Sequence, residues 1–259
     1  MGEVALFNNK VVLLVEYHGG NYCGFQWQPG VPTVQDELEK AIRKVTGEAV
    51  RVVAASRTDS GVHALGQVVS FRTRSMLSPR TFVRALNFYL PRDIAIKGAC
   101  RVDVKFDVRR DATSREYEYK ILNSPTRSPL WEGLAYFVPQ KLDVEMMDRA
   151  CKLLEGEHDF ASFGADLGKR RSTVRTLYEA GVEREGEIVA LRMRANSFLP
   201  HQVRNTVGLL VRVGLGKAGP EELHRVMEAK KLGLAGPTAP AHGLYLVKVE
   251  YPYILEMEN

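Results

Sequence analysis

Apolar positions along the chain fall into short runs of two different periods, and the alternation between them predicts the elements. The run KVVLLVEY at residues 10–17 is almost continuously apolar, as a strand covered on both faces requires. A Gly-rich stretch, GGNYCGFQWQPG, leads into TVQDELEKAIRKVTG, where Val34, Leu38, Ala41, Ile42 and Val45 recur at helical spacing. Thr33 suits the N-cap, with Asp36 three residues on, and Gly47 suits the stop. Two apolar runs, VRVVAA and QVVSF, then flank a turn at Asp59. SPRTFVRALNFYL follows as a helix with Ser78 as N-cap and Pro79 in first position, and DIAIKGACRV follows as a strand. The order β-α-β-β-α-β is the split ferredoxin-like unit, also the topology of RRM domains.

The rest of the chain repeats the order without repeating the sequence. REYEYKIL alternates, placing Tyr117, Tyr119 and Ile121 on one face. A helix is expected from about 143 to 154, strands near 174–184 and 187–195, a helix over roughly 200–213, a shorter one from Pro220, and a last strand in GLYLVKVEY. The expected fold class is α+β, with two ferredoxin-like (RRM-like) halves, 1–104 and 105–259, joined near 103–110. Their sheets are expected to lie side by side around a central cleft.

Composition narrows the function classes. With 259 residues, 45% hydrophobic and 26% charged, the chain can bury substantial cores. No apolar run approaches the length of a membrane helix, and MGEVALFNNK lacks the pattern of a signal peptide, so a cytoplasmic protein with no membrane partner is expected. Cys23, Cys100 and Cys151 are far apart and the six histidines form no helical pair, so neither a disulfide framework nor a metal site is expected. The net charge is +5, and residues 1–104 carry 13 Lys/Arg against 9 Asp/Glu, a bias compatible with a polyanionic partner.

Candidate chemistry starts at SRTDSGVHALGQVVSF, residues 56–71, where Arg57 and Asp59 sit on a Ser-Gly turn. Asp-Ser-Gly is ordinary turn chemistry, and a reactive loop on a rigid scaffold is the competing reading. GLGKAG matches G-x-G-x-x-G, yet a helix C-cap followed by Pro220 explains it better than a dinucleotide turn with no parallel sheet around it. Arg204 shares a helical face with Val207, Gly208 and Val211; it either snorkels or bonds carbonyls, or it meets a carboxylate. Tyr117 is either core or a platform for a base. His63 and His201 have no nucleophile near them in sequence, so structural hydrogen bonding is their default.

These stretches together carry a resemblance. RTDSGVHALGQVVSF is similar to the catalytic-aspartate signature of TruA-type tRNA pseudouridine synthases, G-R-T-D-A-G-V-H-A-x-G-Q-V, with Ser56 and Ser60 in place of Gly and Ala. YHGGNYCGFQWQ, TVQDELE, NFYLPRDI, RRDATSREYEYKI, HDFASFG, FLPHQVRNTVG and AGPTAPAHGLYLVKVEY resemble further blocks of the family in the same order, from about residue 11 to 251; Pro200 stands where many members have His. The resemblance implies the pseudouridine synthase fold and a cofactor-free, metal-free isomerase. It also implies a homodimer acting on uridines 38–40 of the tRNA anticodon stem-loop.

By the same resemblance Asp59 is the catalytic aspartate, Arg57 the loop arginine that helps displace the target base, and Tyr117 the aromatic stacked on the uracil. Arg204 is the basic partner of Asp59, and Leu244 packs beside the base. An Asp59–Arg204 ion pair across the cleft is therefore expected. Three other readings stand beside this one: a related synthase with a different or broader RNA site range, a noncatalytic RNA-binding module, and a nucleotide-dependent enzyme that would rest on the G-x-G-x-x-G stretch alone.

Overall fold

The computed structural model describes residues 9–165 and 172–259. The opening MGEVALFN, read above as no signal peptide, lies outside the described residues. The elements run β1 (Asn9–Tyr17), α1 (Val34–Thr46), β2 (Val53–Ala54), β3 (His63–Thr73), α2 (Pro79–Tyr89), β4 (Ile94–Val102), β5 (Ser114–Leu122) and β6 (Tyr136–Phe137). They continue with α3 (Val144–Lys152), β7 (Gly156–Asp159), β8 (Val174–Glu185), β9 (Ile188–Ala195), α4 (Gln202–Gly214), α5 (Glu221–Ala229) and β10 (Leu244–Glu250). The class is α+β. No helix among the described residues is long and apolar enough to cross a membrane.

Two compact units divide the chain: Met1–Thr113 together with Leu246–Asn259, and Ser114–Tyr245. Residues 246–259 thus belong to the first unit although they follow the second in sequence.

In the first unit the strand order is β4-β1-β3-β10, with β2 on β3, and β1 pairs antiparallel with both β3 and β4. Val11, Val12 and Leu13 are fully buried, which is why this strand is apolar at consecutive positions. The Thr33 hydroxyl accepts from the Asp36 N–H and Gly47 closes α1 at φ 74, while Ser78 caps α2 through the Thr81 N–H with Pro79 in the first turn. The run VRVVAA forms a much shorter strand than its composition suggests. Only Val53 and Ala54 pair with β3, because Ser56 onward turns away to build the loop around Asp59.

In the second unit the order is β5-β9-β8-β7, with β6 parallel to β5. Tyr117, Tyr119 and Ile121 all point to the covered face of β5. Asp143 caps α3, which packs on β8 and beside α4. The G-x-G-x-x-G stretch is indeed a helix end: Leu215, Gly216 and Lys217 donate back to carbonyls of α4, Gly216 sits at φ 68, and Pro220 precedes α5.

Candidate active site

The turn carrying Asp59 is held by side chains from the strands beneath it. The Tyr17 hydroxyl lies 2.7 Å from Thr58 Oγ1 in the interior. Gln67, with no exposed surface, donates from Nε2 to the Ser56 carbonyl at 2.6 Å and accepts the Ser56 N–H on Oε1 at 3.4 Å. Both ends of one buried amide therefore bond one backbone residue, and Nε2 also reaches the Tyr17 hydroxyl at 3.4 Å, which fixes where the loop leaves the sheet. A bulge makes this possible. Between the pairs Val15↔Gln67 and Tyr17↔Ala64, two steps on β1 span three on β3, and such an irregularity re-aims side chains beside a functional loop.

A second loop, residues 18–25, embraces the same turn from outside. The Phe25 N–H donates to the Thr58 carbonyl at 3.1 Å, while the Gly61 N–H and the Ser60 hydroxyl both donate to the Tyr22 carbonyl, at 3.3 and 3.2 Å. Gly24 sits at φ 87, and a Cβ there would stand 2.9 Å from the Thr58 carbonyl oxygen, so both conformation and space select glycine. The Gly19 N–H donates to His63 Nδ1 at 3.0 Å, and His63 is 2% exposed with its ring 4.5 Å from that of His18. His63 is thus a structural brace. The Tyr22 hydroxyl donates to Asp93 at 2.6 Å, and burial, followed by this bond, pushes its ionisation well above the usual phenol range.

Within this frame Thr58 is buried, Asp59 is half-buried and Arg57 is exposed. The Asp59 carbonyl accepts the Val62 N–H at 3.2 Å, closing the Asp-Ser-Gly turn with Gly61 at φ 78. Ordinary turn chemistry is present, and Asp59 is carried on a turn whose flanking residues are hydrogen-bonded on both sides.

The second unit gathers the other candidate residues on the covered face of β5. Tyr117, 6% exposed, meets Phe198 edge-on at 5.2 Å. Two residues along, Tyr119 is fully buried and its hydroxyl donates to the Pro240 carbonyl at 2.7 Å; burial raises its ionisation, opposed by the positive charge of Arg204. Arg204, half-buried on α4, donates from Nε to the Ala239 carbonyl at 2.9 Å and accepts the Ala239 N–H on its own carbonyl at 3.1 Å. The chain at 237–239 approaches α4 so closely that a Cβ on Gly208 would stand 1.8 Å from the Pro237 carbonyl oxygen. Gly243 backs onto the Tyr119 ring, and Leu244 follows it, 6% exposed.

Arg204 and Leu244 are thereby fixed by one segment, 237–244, while Tyr117 lies on the strand that segment covers. Asp59 and Arg57 belong to the first unit, and the expected Asp59–Arg204 pair links residues of different units. The sequence reading missed Tyr17, Gln67 and Phe25 as supports. One signal was there: Gln67 is in phase with Val69 and Phe71 on β3, a polar residue at an apolar position that needs bonded partners.

Residues 13–111 and 150–252 match the profile described as tRNA pseudouridine synthase. A "tRNA pseudouridine synthase A" from Acetivibrio thermocellus is 45% identical over 242 residues, covering 93% of this chain and 99% of the relative. Proteins of the same name from Thermoanaerobacter sp. and Francisella tularensis are each 41% identical; the alignments cover 93% of this chain in both cases, and 99% and 93% of the relatives. Among solved structures, one described as "Crystal Structure of a Cbf5-Nop10-Gar1 Complex" aligns with 80% of this chain at a TM-score of 0.38 and 15% identity, and the chain spans 46% of its length. By profile and by full-length identity, the chain belongs to the tRNA pseudouridine synthase family.

Proposed function

We propose that this protein isomerises uridine to pseudouridine in tRNA, at positions 38–40 of the anticodon stem-loop, acting in the cytoplasm as a homodimer without cofactor or metal. The observation that carries the reading is the Asp59 turn itself. Tyr17, Gln67 and Phe25 bind the residues before Asp59, and Tyr22 binds those after it, so the carboxylate is held in place before substrate arrives.

The reaction breaks the N1–C1′ bond, rotates the uracil and joins C5 to C1′; the C5 hydrogen leaves as a proton and N1 takes one up. The sugar develops positive charge and the dissociated base negative charge, and a carboxylate fixed in advance stabilises the positive sugar without reorganising. Asp59 serves as the nucleophile toward the nucleotide or as the base at C2′; each route needs the same fixed carboxylate. The nucleotide must leave its stack, at a cost of about a few kcal/mol. In the proposed roles Arg57 displaces the base, Tyr117 stacks on the uracil, Leu244 packs beside it, and Arg204 supplies the positive counterpart of Asp59.

Site-by-site pseudouridine mapping of bulk tRNA lacking the modification, after incubation with the protein alone, tests the reading. Pseudouridine at 38–40 is the expected result. Pseudouridine only elsewhere sinks the site assignment and supports the related synthase with another range. None at all, with tRNA bound, supports the noncatalytic module.

A further inference from the structure

The outer face of α1 and α2 carries a pair of solvent-facing rings that nothing in the active-site account uses. Phe88 is 80% exposed and Tyr89 42%, and they meet edge-to-face with centroids 5.0 Å apart at the last turn of α2. Lys44, on the last turn of α1, lies 5.5 Å from the Tyr89 ring centre. Arg84 is one helical turn before Phe88 and shares its face, and Arg92 follows just past the helix. Arg43, Lys44, Arg84 and Arg92 are all exposed, and among the described residues none of them has a carboxylate partner. From residue 74 to 92 the chain has four arginines and no Asp or Glu.

We infer that this face is a second RNA-binding surface, on which an unpaired base stacks on Phe88 while Lys44, Arg84 and Arg92 neutralise the flanking phosphates. Flat aromatic faces interleaved with free cations are the chemistry of single-stranded nucleic-acid binding. Its place in the fold suits an RNA already held at Asp59. Ile94 pairs with Tyr17 at the end of β1, and Asp93 is bonded by Asn21 and Tyr22 of the loop that embraces the Asp59 turn. The end of α2 is therefore at the same end of the first unit's sheet as the candidate carboxylate. A second copy of the chain fits this face poorly. A two-fold contact would set the same arginines against each other, and two rings ringed by charge supply little of the roughly 800 Å² per partner that a stable interface needs.

The inference rests on the proposed tRNA substrate for its probe, and binding, not turnover, is what tests it. With the full-length protein and bulk tRNA, Phe88→Ala is expected to weaken the dissociation constant about tenfold and Phe88→Trp to preserve it. Arg84→Ala and Arg92→Ala should each lower the slope of log K against log salt by about one. Unchanged affinity in Phe88→Ala together with unchanged salt slopes overturns the inference. So does light scattering in which Phe88→Ala and Arg84→Ala break an oligomer, since the face then belongs to a second copy. A wild-type protein that binds tRNA but modifies nothing sinks the isomerase reading, and the same variants still decide this surface.

Discussion

The Tyr17 hydroxyl stands 2.7 Å from Thr58 Oγ1, so the residue before Asp59 is tied to the last residue of β1 inside the first unit. Tyr17→Phe removes that tie and leaves a buried hydroxyl on Thr58 without its partner. The variant is expected to lose about 1–3 kcal/mol in urea unfolding. Turnover at saturating tRNA should fall about ten- to a hundredfold, because small displacements of a catalytic group are costly. Wild-type turnover in Tyr17→Phe would separate the tie from the chemistry.

Gly24 is one place where the embracing loop presses on the turn. Gly24→Ala places a methyl 2.9 Å from the Thr58 carbonyl oxygen on a backbone at φ 87. Crowding and left-handed strain together should cost about 1–3 kcal/mol, read as a lowered urea midpoint at constant slope. Turnover should fall with it, since the displaced atoms adjoin Asp59.

If Arg204 is the charge counterpart of Asp59, as proposed, Arg204→Ala should impair catalysis strongly and Arg204→Lys should restore it only in part, because lysine keeps the charge and loses the planar fork. In a double-mutant cycle with Asp59→Ala, stability losses should fall short of the sum of the singles. Strictly additive losses contradict the proposed partnership. Loss of the Nε bond to the Ala239 carbonyl alone would appear equally in both backgrounds.

The three thiols differ in burial, with Cys23 partly exposed and Cys100 and Cys151 buried. Burial first, and then the negative charge of Glu258, push the Cys100 thiol up to about 11. A thiol raised on folding stays neutral in the native state while the unfolded chain ionises above about 8.5. Its contribution to stability is therefore intact below that pH and is lost as pH rises toward the folded value. Native protein at neutral pH should label rapidly at Cys23 only. Rapid native labelling of Cys100 at the rate of the unfolded chain would contradict its placement.

Much of the fold was legible because its signals are local. Thr33 and Gly47 bracket α1 and Ser78 with Pro79 opens α2, each through bonds within a few residues. The periodicity of β5 likewise declared its covered face. What escaped depends on distant partners. β2 stops at Ala54 because Ser56 is captured by Gln67, eleven residues on, and the two-residue β6 exists only as an addition to β5. Nothing in GLYLVKVEY says that residues from Leu246 onward pack with the first unit. For the candidate site, the sequence pointed to Asp59 and Arg204 as charges needing an environment, and the bulge in β3 that aims the supports of the Asp59 turn has no sequence signature of its own.

Release of tritium from uracil-C5-labelled tRNA, in the absence of any cofactor, measures the central claim most directly. Wild-type protein should release it, and Asp59→Asn should release none while its tRNA affinity stays within about tenfold, since phosphate contacts dominate binding and are untouched. Release by Asp59→Asn at a rate near wild type, or none by the wild-type protein with tRNA bound, would contradict the account.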